Sequence, residues 1–252
     1  RAADVAQLHA RQAGVAKRAE ILEEFERTLE GLGTGVKELL ARAGLLGRDR
    51  QAAPADETAA APQVEKPWSS IRGVVADLIK VSVEHATAID VSLGDLAQAV
   101  LVNGGPADLA AVVQRAGDLA ERATLLSLEA PTEAAIELTA AMVEGAEVVA
   151  RADKLVECTD EHRPLIEKLL GKTFVVRSLD DAQRLQTRAP AGTRFATPEG
   201  ELVDEHGALA FGPRQSATSV ISRRSQLRAA RLELAVLDQQ IIDAERETAH
   251  LK

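Results

Sequence analysis

The sequence predicts a mixed α/β globular domain inserted between two helices that form an antiparallel coiled coil. Both ends of the chain place an apolar residue at every seventh position, and the part between them has short apolar runs bounded by turns. A stripe of apolar side chains at this spacing has to be covered by another helix. Two such helices at opposite ends of one chain cover each other only by running antiparallel. The seventh-position residues are Leu8, Val15, Leu22, Leu29 and Val36 near the N-terminus and Val220, Leu227, Leu234 and Ile241 near the C-terminus.

The N-terminal arm is predicted to span residues 1–43, with its second seam position three residues after the first. Three glycines interrupt this seam, and each costs about 1 kcal/mol relative to alanine inside a helix. We therefore expect a kink or local disorder there. Arg1 lies directly in heptad-type sequence, so the arm is expected to have been cut from a longer helix. The second seam residues are Arg11, Arg18, Phe25, Leu32 and Leu39, and the glycines are Gly31, Gly33 and Gly35.

The C-terminal arm is predicted to span residues 214–252, and its helix, from Val220 onward, contains no glycine or proline. An amphipathic helix lying on a globular surface is the alternative for either arm alone, and the presence of both arms argues against it. The second seam residues of this arm are Arg223, Ala230, Leu237, Ala244 and Leu251.

Residues 44–67 have the composition of a flexible linker. This stretch is rich in alanine, proline and charge and has little apolar surface to bury,. Order is expected to resume at Trp68.

The insert is predicted to contain two α/β subdomains of related shape, 68–130 and 169–213, joined by connecting helices over 131–168. Each subdomain shows a buried strand, a helix and a second strand, at 100–102, 107–119 and from Arg122 in the first, and at 174–176, 179–185 and from Arg194 in the second. Short apolar runs between turns are typical of buried strands, and the helices between them serve as crossovers. Chance similarity between the two stretches is the alternative.

Composition excludes several classes of function. Aromatic residues make up 2% of the chain and Tyr is absent, which leaves too few flat side chains for a base-stacking surface. The net charge of -9 argues against a protein that coats nucleic acid over its whole surface. No stretch approaches the roughly twenty apolar residues of a membrane helix. The single cysteine, Cys158, has no internal disulfide partner, which fits a reducing compartment,.

No catalytic, cofactor-binding or metal-binding residues are predicted. The five histidines are scattered and lack the spacing of metal ligands. Phosphate-loop, dinucleotide-binding and nucleophile-elbow motifs are missing from the sequence. The turn at Gly104-Gly105-Pro106 precedes a predicted helix, and a tight turn with proline at the first helical position accounts for these residues.

Five arginines cluster where the insert meets the C-terminal arm. Positive charge spread around several faces of a helix holds phosphates without reading sequence, so these residues are candidates for weak, sequence-independent DNA contact. The alternative is a solvated helix surface whose arginines pair with acids of the opposite arm. The cluster consists of Arg214, Arg223, Arg224, Arg228 and Arg231.

The insert, from about residue 73 to residue 212, resembles the hinge domain of structural maintenance of chromosomes (SMC) proteins, and the flanking coils extend the resemblance. Several segments carry the resemblance in the order and spacing of that family. They are GVVADLI at 73–79, Ala88-Ile89 and Leu93-Gly94 followed by Gln98 and Val102, RATLLSL at 122–128, Leu169-Leu170-Gly171 with Val175-Val176, Leu179 and Ala182, and Arg194 to Thr197 with Gly200, Val203 and Gly207.

The resemblance implies a homodimer that closes edge strands of two copies against each other, and antiparallel arms that lead to ATPase heads outside this chain. ATP and Mg²⁺ would belong to those heads, accessory subunits would complete the complex, and the location would be the cytoplasm at the nucleoid, with no membrane contact. The implied dimer surface comprises Arg122, Ala123, Thr124, Leu125 and Leu126 together with Gly207, Ala208, Leu209, Ala210, Phe211 and Gly212.

Three departures from the family pattern bear on this dimer surface. Glu121 stands where the family usually has glycine, Pro213 follows Gly212 where a second glycine is common, and Gly104-Gly105 falls where the family tends to be acidic. We expect the side chain of Glu121 and the ring of Pro213 to alter the contact.

Two further classes of function remain open. One is a coiled-coil scaffold whose inserted domain binds a protein partner and has no DNA role; retained dimerisation without DNA affinity would favour it. The other is an enzyme with a small-molecule site between the subdomains, which would need convergent polar groups that the sequence does not show.

Overall fold

The computed structural model describes residues 2–45, 68–129, 135–212 and 220–249. The chain divides into two compact units, Arg1–Glu30 with Ser222–Lys252, and Gly31–Ile221. The linker predicted at 44–67 lies outside the described residues from residue 46 onward.

The first unit consists of helix α1 (Ala2–Arg27) and most of helix α8 (Val220–Ala249). Ala19 and Leu22 of α1 form an apolar cluster with Leu227 and Ala230 of α8. Polar contacts run from His9 to Glu245 at one end and from Glu23 to Arg231 at the other, so residue numbers rise along one helix as they fall along the other. The predicted antiparallel coiled coil is confirmed.

The second row of seam residues in α1 differs from the prediction. Arg11 and Arg18 are exposed, whereas Gln12 is half-buried and Ala19 is buried. In this part of α1, the second seam position therefore lies four residues after each residue of the first stripe rather than three. The physical reason is that a guanidinium is costly to cover, whereas the small side chain of Ala19 lets the two helices approach closely.

The glycine-rich segment ends α1 rather than kinking it. Beyond Arg27, the N–H of Glu30 donates to the carbonyl oxygen of Phe25 at 3.0 Å and the N–H of Leu29 to that of Glu26 at 3.3 Å. Leu29 has a φ of 53°, and this left-handed residue completes a Schellman-type helix end.

A separate helix, α2 (Thr34–Arg42), follows this helix end. Its residues Val36 and Leu39 are buried and belong to the second unit. The arm predicted at 1–43 therefore divides at Glu30, and its last part packs with the insert.

The second unit contains a three-stranded sheet of β1 (Ile71–Val74), β3 (Val100–Val102) and β4 (Leu125–Ser127), in the order β1-β3-β4. Strand β1 is antiparallel to β3, and β4 is parallel to β3. Helix α4 (Pro106–Ala116) makes the crossover between β3 and β4, and helix α3 (Val83–Leu93) precedes β3. All three residues of β3 are buried, as expected for a central strand.

A five-stranded sheet follows, built from β5 (Val148–Arg151), β7 (Thr173–Val176), β8 (Arg194–Ala196), β9 (Leu202–Val203) and β10 (Leu209–Ala210) in the order β10-β9-β8-β7-β5. Strands β7 and β8 are parallel and are joined by helix α7 (Leu179–Gln186), β5 is antiparallel to β7, and β9 and β10 form an antiparallel hairpin. Phe174 and Phe195 pack in its core with ring centroids 6.2 Å apart.

The two halves of this unit follow the same order of elements: an antiparallel strand, a short 3-10 turn, a two-residue strand, a helix and a parallel strand-helix-strand. The two-residue strands β2 (Lys80–Val81) and β6 (Val156–Glu157) pair with each other. The predicted connecting helices at 131–168 are therefore wrong in part. Among the described residues of that range, only α5 (Ala140–Val143) and α6 (Arg163–Leu170) are α-helical, because Val148 and its neighbours complete the second sheet, which begins before the predicted boundary at 169.

A buried ion pair stabilises the turn after β5. Arg151 Nε lies 2.6 Å from Asp153 Oδ1, and Asp153 is fully buried. Burial alone would raise the pKa of Asp153, but the hydrogen bond and charge of Arg151 hold it below its ordinary value. In the equivalent turn of the first half, Asp77 accepts a hydrogen bond from the N–H of Val74 at 2.7 Å. A carboxylate therefore lies in the corresponding turn of each half, where it accepts from a backbone N–H in the first and pairs with a guanidinium in the second.

Candidate functional site at two open sheet edges

Strand β4 forms one end of its sheet, with β3 as its single neighbour among the described strands. The N–H of Leu128, just after the strand, donates to the carbonyl oxygen of Val102 at 3.0 Å. Leu125 and Leu126 are half-buried, and Arg122 and Thr124 are exposed. The predicted residues 122–126 thus lead into and form an edge that a further strand can join.

Strand β10 forms one end of the other sheet, with β9 as its neighbour. All six residues from 207 to 212 are exposed. Phe211 is 78% exposed and Leu209 is 37% exposed, which places apolar side chains along a strand that ends its sheet. Such an edge is a template for pairing with another chain.

Asp204 fixes the turn that presents β10. Its Oδ1 accepts hydrogen bonds from the N–H groups of Ala208 at 2.8 Å and His206 at 2.9 Å. These backbone donors, Ala208 first, hold the pKa of Asp204 below its ordinary value. Gly207 has a φ of 81°, the left-handed region that glycine adopts without strain. Asp204 is not among the predicted site residues, although an aspartate three residues before a glycine between two short apolar runs is a turn signal.

The last strand of the parallel pair has one neighbouring strand in the first sheet and two in the second, among the described strands. In each half, the last strand of the parallel pair follows the crossover helix: β4 after α4, and β8 after α7. Strand β8 is covered by β9 and its hairpin partner, whereas β4 has no second neighbour among the strands that the structure describes. The first half therefore lacks, within the described chain, the strand that the second half carries.

The turn at Gly104-Gly105, one of the three departures from the family pattern, contacts strand β4. Ser127 donates its hydroxyl to the carbonyl oxygen of Gly104 at 2.6 Å, and Asp108 accepts a hydrogen bond from the N–H of Gly105 at 3.0 Å. These contacts make the turn part of the support of β4. Pro213, the second departure, lies outside the described residues.

The arginine cluster is mostly occupied in contacts between α1 and α8. Arg224 pairs with Glu26 and Arg231 with Glu23, while Arg223 lies over the ring of Phe25, with its guanidinium carbon 5.7 Å from the centroid. Arg228 donates to the hydroxyl of Ser225 at 3.1 Å. Arg214 lies outside the described residues. Arg224 and Arg231 therefore pair with acids of the opposite arm, as the alternative interpretation of the cluster expects.

Other kinds of site find little support in the described part of the chain. It contains no group of three or more His, Cys, Asp or Glu side chains arranged to hold a metal ion. Burial raises the pKa of Cys158, which disfavours the thiolate form. None of the described helices is both long and apolar enough to cross a membrane.

Comparison with known proteins agrees with this architecture. Residues 69–186 match the family described as the SMC proteins flexible hinge domain. The chain is 32% identical over 252 residues to a chromosome partition protein Smc of Rhodopirellula baltica and 27% identical over 208 residues to one of Halothermothrix orenii. These alignments cover 98% and 82% of this chain, but only 19% and 16% of the relatives. The chain therefore spans less than a fifth of the length of these curated relatives.

Among solved structures, the chain is similar to the Geobacillus stearothermophilus SMC hinge domain, which was crystallised as an asymmetric dimer. The TM-score is 0.71 at 26% sequence identity, with 98% of this chain and 92% of that chain covered.

Proposed function

Because this chain carries a hinge domain of the SMC family, we propose that it is the dimerisation hinge of a chromosome-organising protein. The observation that carries this proposal is the pair of unequal edges in the second unit. Within the described chain, strand β4 is uncovered where the corresponding β8 is covered, and β10 presents an exposed edge with Phe211 beside it.

In the proposed dimer, β10 of each protomer lies against β4 of its partner. Because the dimer has two-fold symmetry, this contact occurs twice. Each contact joins the three-stranded sheet of one protomer to the five-stranded sheet of its partner. Because β8 pairs antiparallel with β9, we expect the partner strand on β4 to run antiparallel as well. Burial of Leu209 and Phe211 supplies apolar contact at each of the two edges.

The role of the whole protein is a further part of the proposal. We propose that the α1–α8 arm leads to ATPase heads that bind ATP and Mg²⁺, and that accessory subunits join the complex at the nucleoid in the cytoplasm. The names of the chromosome partition relatives support this placement. The hinge itself performs no chemistry in this proposal; its task is to join two copies and hold two arms.

DNA contact is proposed for a narrower set than the whole arginine cluster. The side chain of Arg224 is 7% exposed, whereas that of Arg231 is 54% exposed. Arg231 is therefore better placed than Arg224 to meet phosphates, and Arg223 and Arg228, which are partly exposed on the same helix, are proposed to act with it. Changing these three arginines to glutamine should flatten the salt dependence of DNA affinity and leave the dimer intact. An unchanged salt slope would favour the scaffold alternative.

Light scattering across protein concentration tests dimerisation. The wild-type chain should show the mass of two chains, and Phe211→Asp should shift it to one chain, because a charge at the edge opposes strand pairing. Val149→Asp is the matched control, since Val149 is exposed on β5 of the same sheet but away from β10. A wild-type chain that stays monomeric at all concentrations would contradict the proposal.

A further inference from the structure

Helix α2 holds the segment that leads into β4 through two reciprocal contacts. The N–H of Thr34, in the first turn of α2, donates to Glu121 Oε2 at 2.9 Å. In return, the N–H of Ala120 donates to Oε2 of Glu38, one turn further along α2, at 3.2 Å. Each carboxylate thus satisfies a backbone donor of the other segment.

Close backbone packing accompanies these hydrogen bonds. A β-carbon at Gly35 would collide with the carbonyl group of Glu121, so α2 and this segment approach at a distance that only glycine allows,. At the far end of α2, Arg42 donates to the carbonyl oxygen of Ala116. On the inner face of α2, Leu39 and Leu40 are buried almost completely. Helix α2 is therefore fixed in the unit and serves as a rigid support.

The position of β4 depends on the segment that α2 contacts. Between the end of α4 at Ala116 and the start of β4 at Leu125, the chain has no helix or strand. Strand β4 is three residues long and hydrogen-bonds to β3 alone among the described strands. A short strand with one neighbour has little pairing of its own to set its position, so the contacts at 116–121 contribute strongly.

We infer that α2 positions the open edge of β4, and that Glu121 and Glu38 are positioning residues for the contact between two copies of this chain. This inference rests on the proposed function, because it deepens the account of the same edge. It also explains the departure at Glu121: the carboxylate binds the first turn of α2 and takes part in building the edge. Under this inference, the side chain of Glu121 alters the contact by supporting the edge strand.

The test compares Glu121→Ala with two variants in the same chain. Glu121→Gln keeps an oxygen that accepts the N–H of Thr34. Asp118→Ala removes one negative charge from the same segment at an exposed side chain. Sedimentation over a dilution series gives the dimer dissociation constant of each protein. Hydrogen exchange of the peptide covering 122–129 reports the position of β4.

We expect Glu121→Ala to raise the dissociation constant about tenfold, which corresponds to about 1.4 kcal/mol, and to speed exchange at the Leu128 amide. Glu121→Gln should restore most of both values, and Asp118→Ala should match the wild type. The inference is overturned if Glu121→Ala gives the same dissociation constant and exchange rate as Asp118→Ala, or if the glutamine variant restores neither.

The two proposals fail in distinguishable ways. A monomeric wild-type chain contradicts the dimerisation function, and exchange at Leu128 in that monomer still decides whether α2 positions β4. A dimeric wild-type chain whose affinity and exchange are indifferent to Glu121 leaves the dimer in place and removes the role of α2.

Discussion

Arg224 of α8 and Glu26 of α1 form an ion pair across the arm, with Nε 3.1 Å from Oε1 and only 7% of the arginine side chain exposed. A guanidinium buried to this extent is stabilised by a carboxylate beside it, because burial removes the water that would otherwise solvate its charge. The pair therefore ties together two residues that are far apart along the chain.

Replacing Glu26 with alanine should lower the free energy of unfolding of the arm by about 3 kcal/mol, because a buried guanidinium loses the carboxylate that faces it,. The matched control is Glu23→Ala, which removes the partner of Arg231. That pair is half exposed on both sides and is worth about 1 kcal/mol or less. Urea unfolding followed by helical circular dichroism measures both. Equal losses in the two variants would show that burial of Arg224 does not set the strength of the pair.

Two glycines should respond to alanine in opposite directions. Gly35→Ala places a β-carbon against the backbone of Glu121 and should destabilise the second unit by about 2 kcal/mol. Gly14 lies inside α1 with nothing near its β-carbon position, so Gly14→Ala should stabilise the arm by about 0.5–1 kcal/mol. Thermal unfolding of the full chain gives both signs. A neutral Gly35→Ala would mean that α2 moves readily away from the backbone of Glu121.

Acid should weaken the second unit through Asp153. The pKa of this carboxyl is lowered in the folded state from its ordinary value of 3.8, so its contribution is fully present above that value. The contribution is lost as the pH falls through the lower, folded-state pKa. Asp153→Asn should be less stable than the wild type near neutral pH and should lose less stability as the pH falls below about 3.8, the ordinary pKa of this carboxyl,. Parallel pH profiles of the two proteins would contradict this assignment.

The hairpin that presents β10 should depend on the carboxylate of Asp204. Asp204→Ala removes the acceptor of two backbone N–H groups and should raise the dimer dissociation constant about fivefold through a less ordered edge strand. Asp204→Asn keeps one acceptor oxygen and should lie between alanine and the wild type. Sedimentation measures all three proteins, and exposed Glu199→Ala serves as the charge control. An alanine variant that dimerises as tightly as the wild type would remove Asp204 from the site.

The periodic parts of the sequence predict the structure well. The seven-residue stripes that include Leu22 and Leu227 predict which helices pair, because the period of a helix is regular over many residues. The position of these helices at opposite ends of the chain predicts that they run antiparallel. The apolar runs at 100–102 and 174–176 likewise predict the buried central strands. The second seam position of α1 is missed because the spacing alone does not distinguish three residues from four, and burial of Ala19 decides it.

Local patterns say less about contacts between distant residues. Val148–Arg151 is a four-residue strand, and its partner β7 follows α6 in the chain. Because this pairing is not visible in the local pattern, the sequence alone predicts a helical segment at 148–151. The hydrogen bond between Glu121 and the N–H of Thr34 likewise cannot be predicted from local sequence, because the two residues are 87 positions apart. The acids that pair with Arg224 and Arg231 also come from the opposite end of the chain, and only the folded arm shows them.

Cross-linking between two differently tagged copies tests the central claim most directly. In a Cys158→Ser background, one copy carries Thr124→Cys beside β4 and the other carries Ala210→Cys on β10, and a short bismaleimide joins thiols that lie close together. Pairing of β4 with the partner's β10 predicts a covalent product containing both tags, and a copy with Val149→Cys in place of Ala210→Cys should give none. A chain that has the mass of a dimer in solution but yields no product from the Thr124 and Ala210 pair would contradict the account.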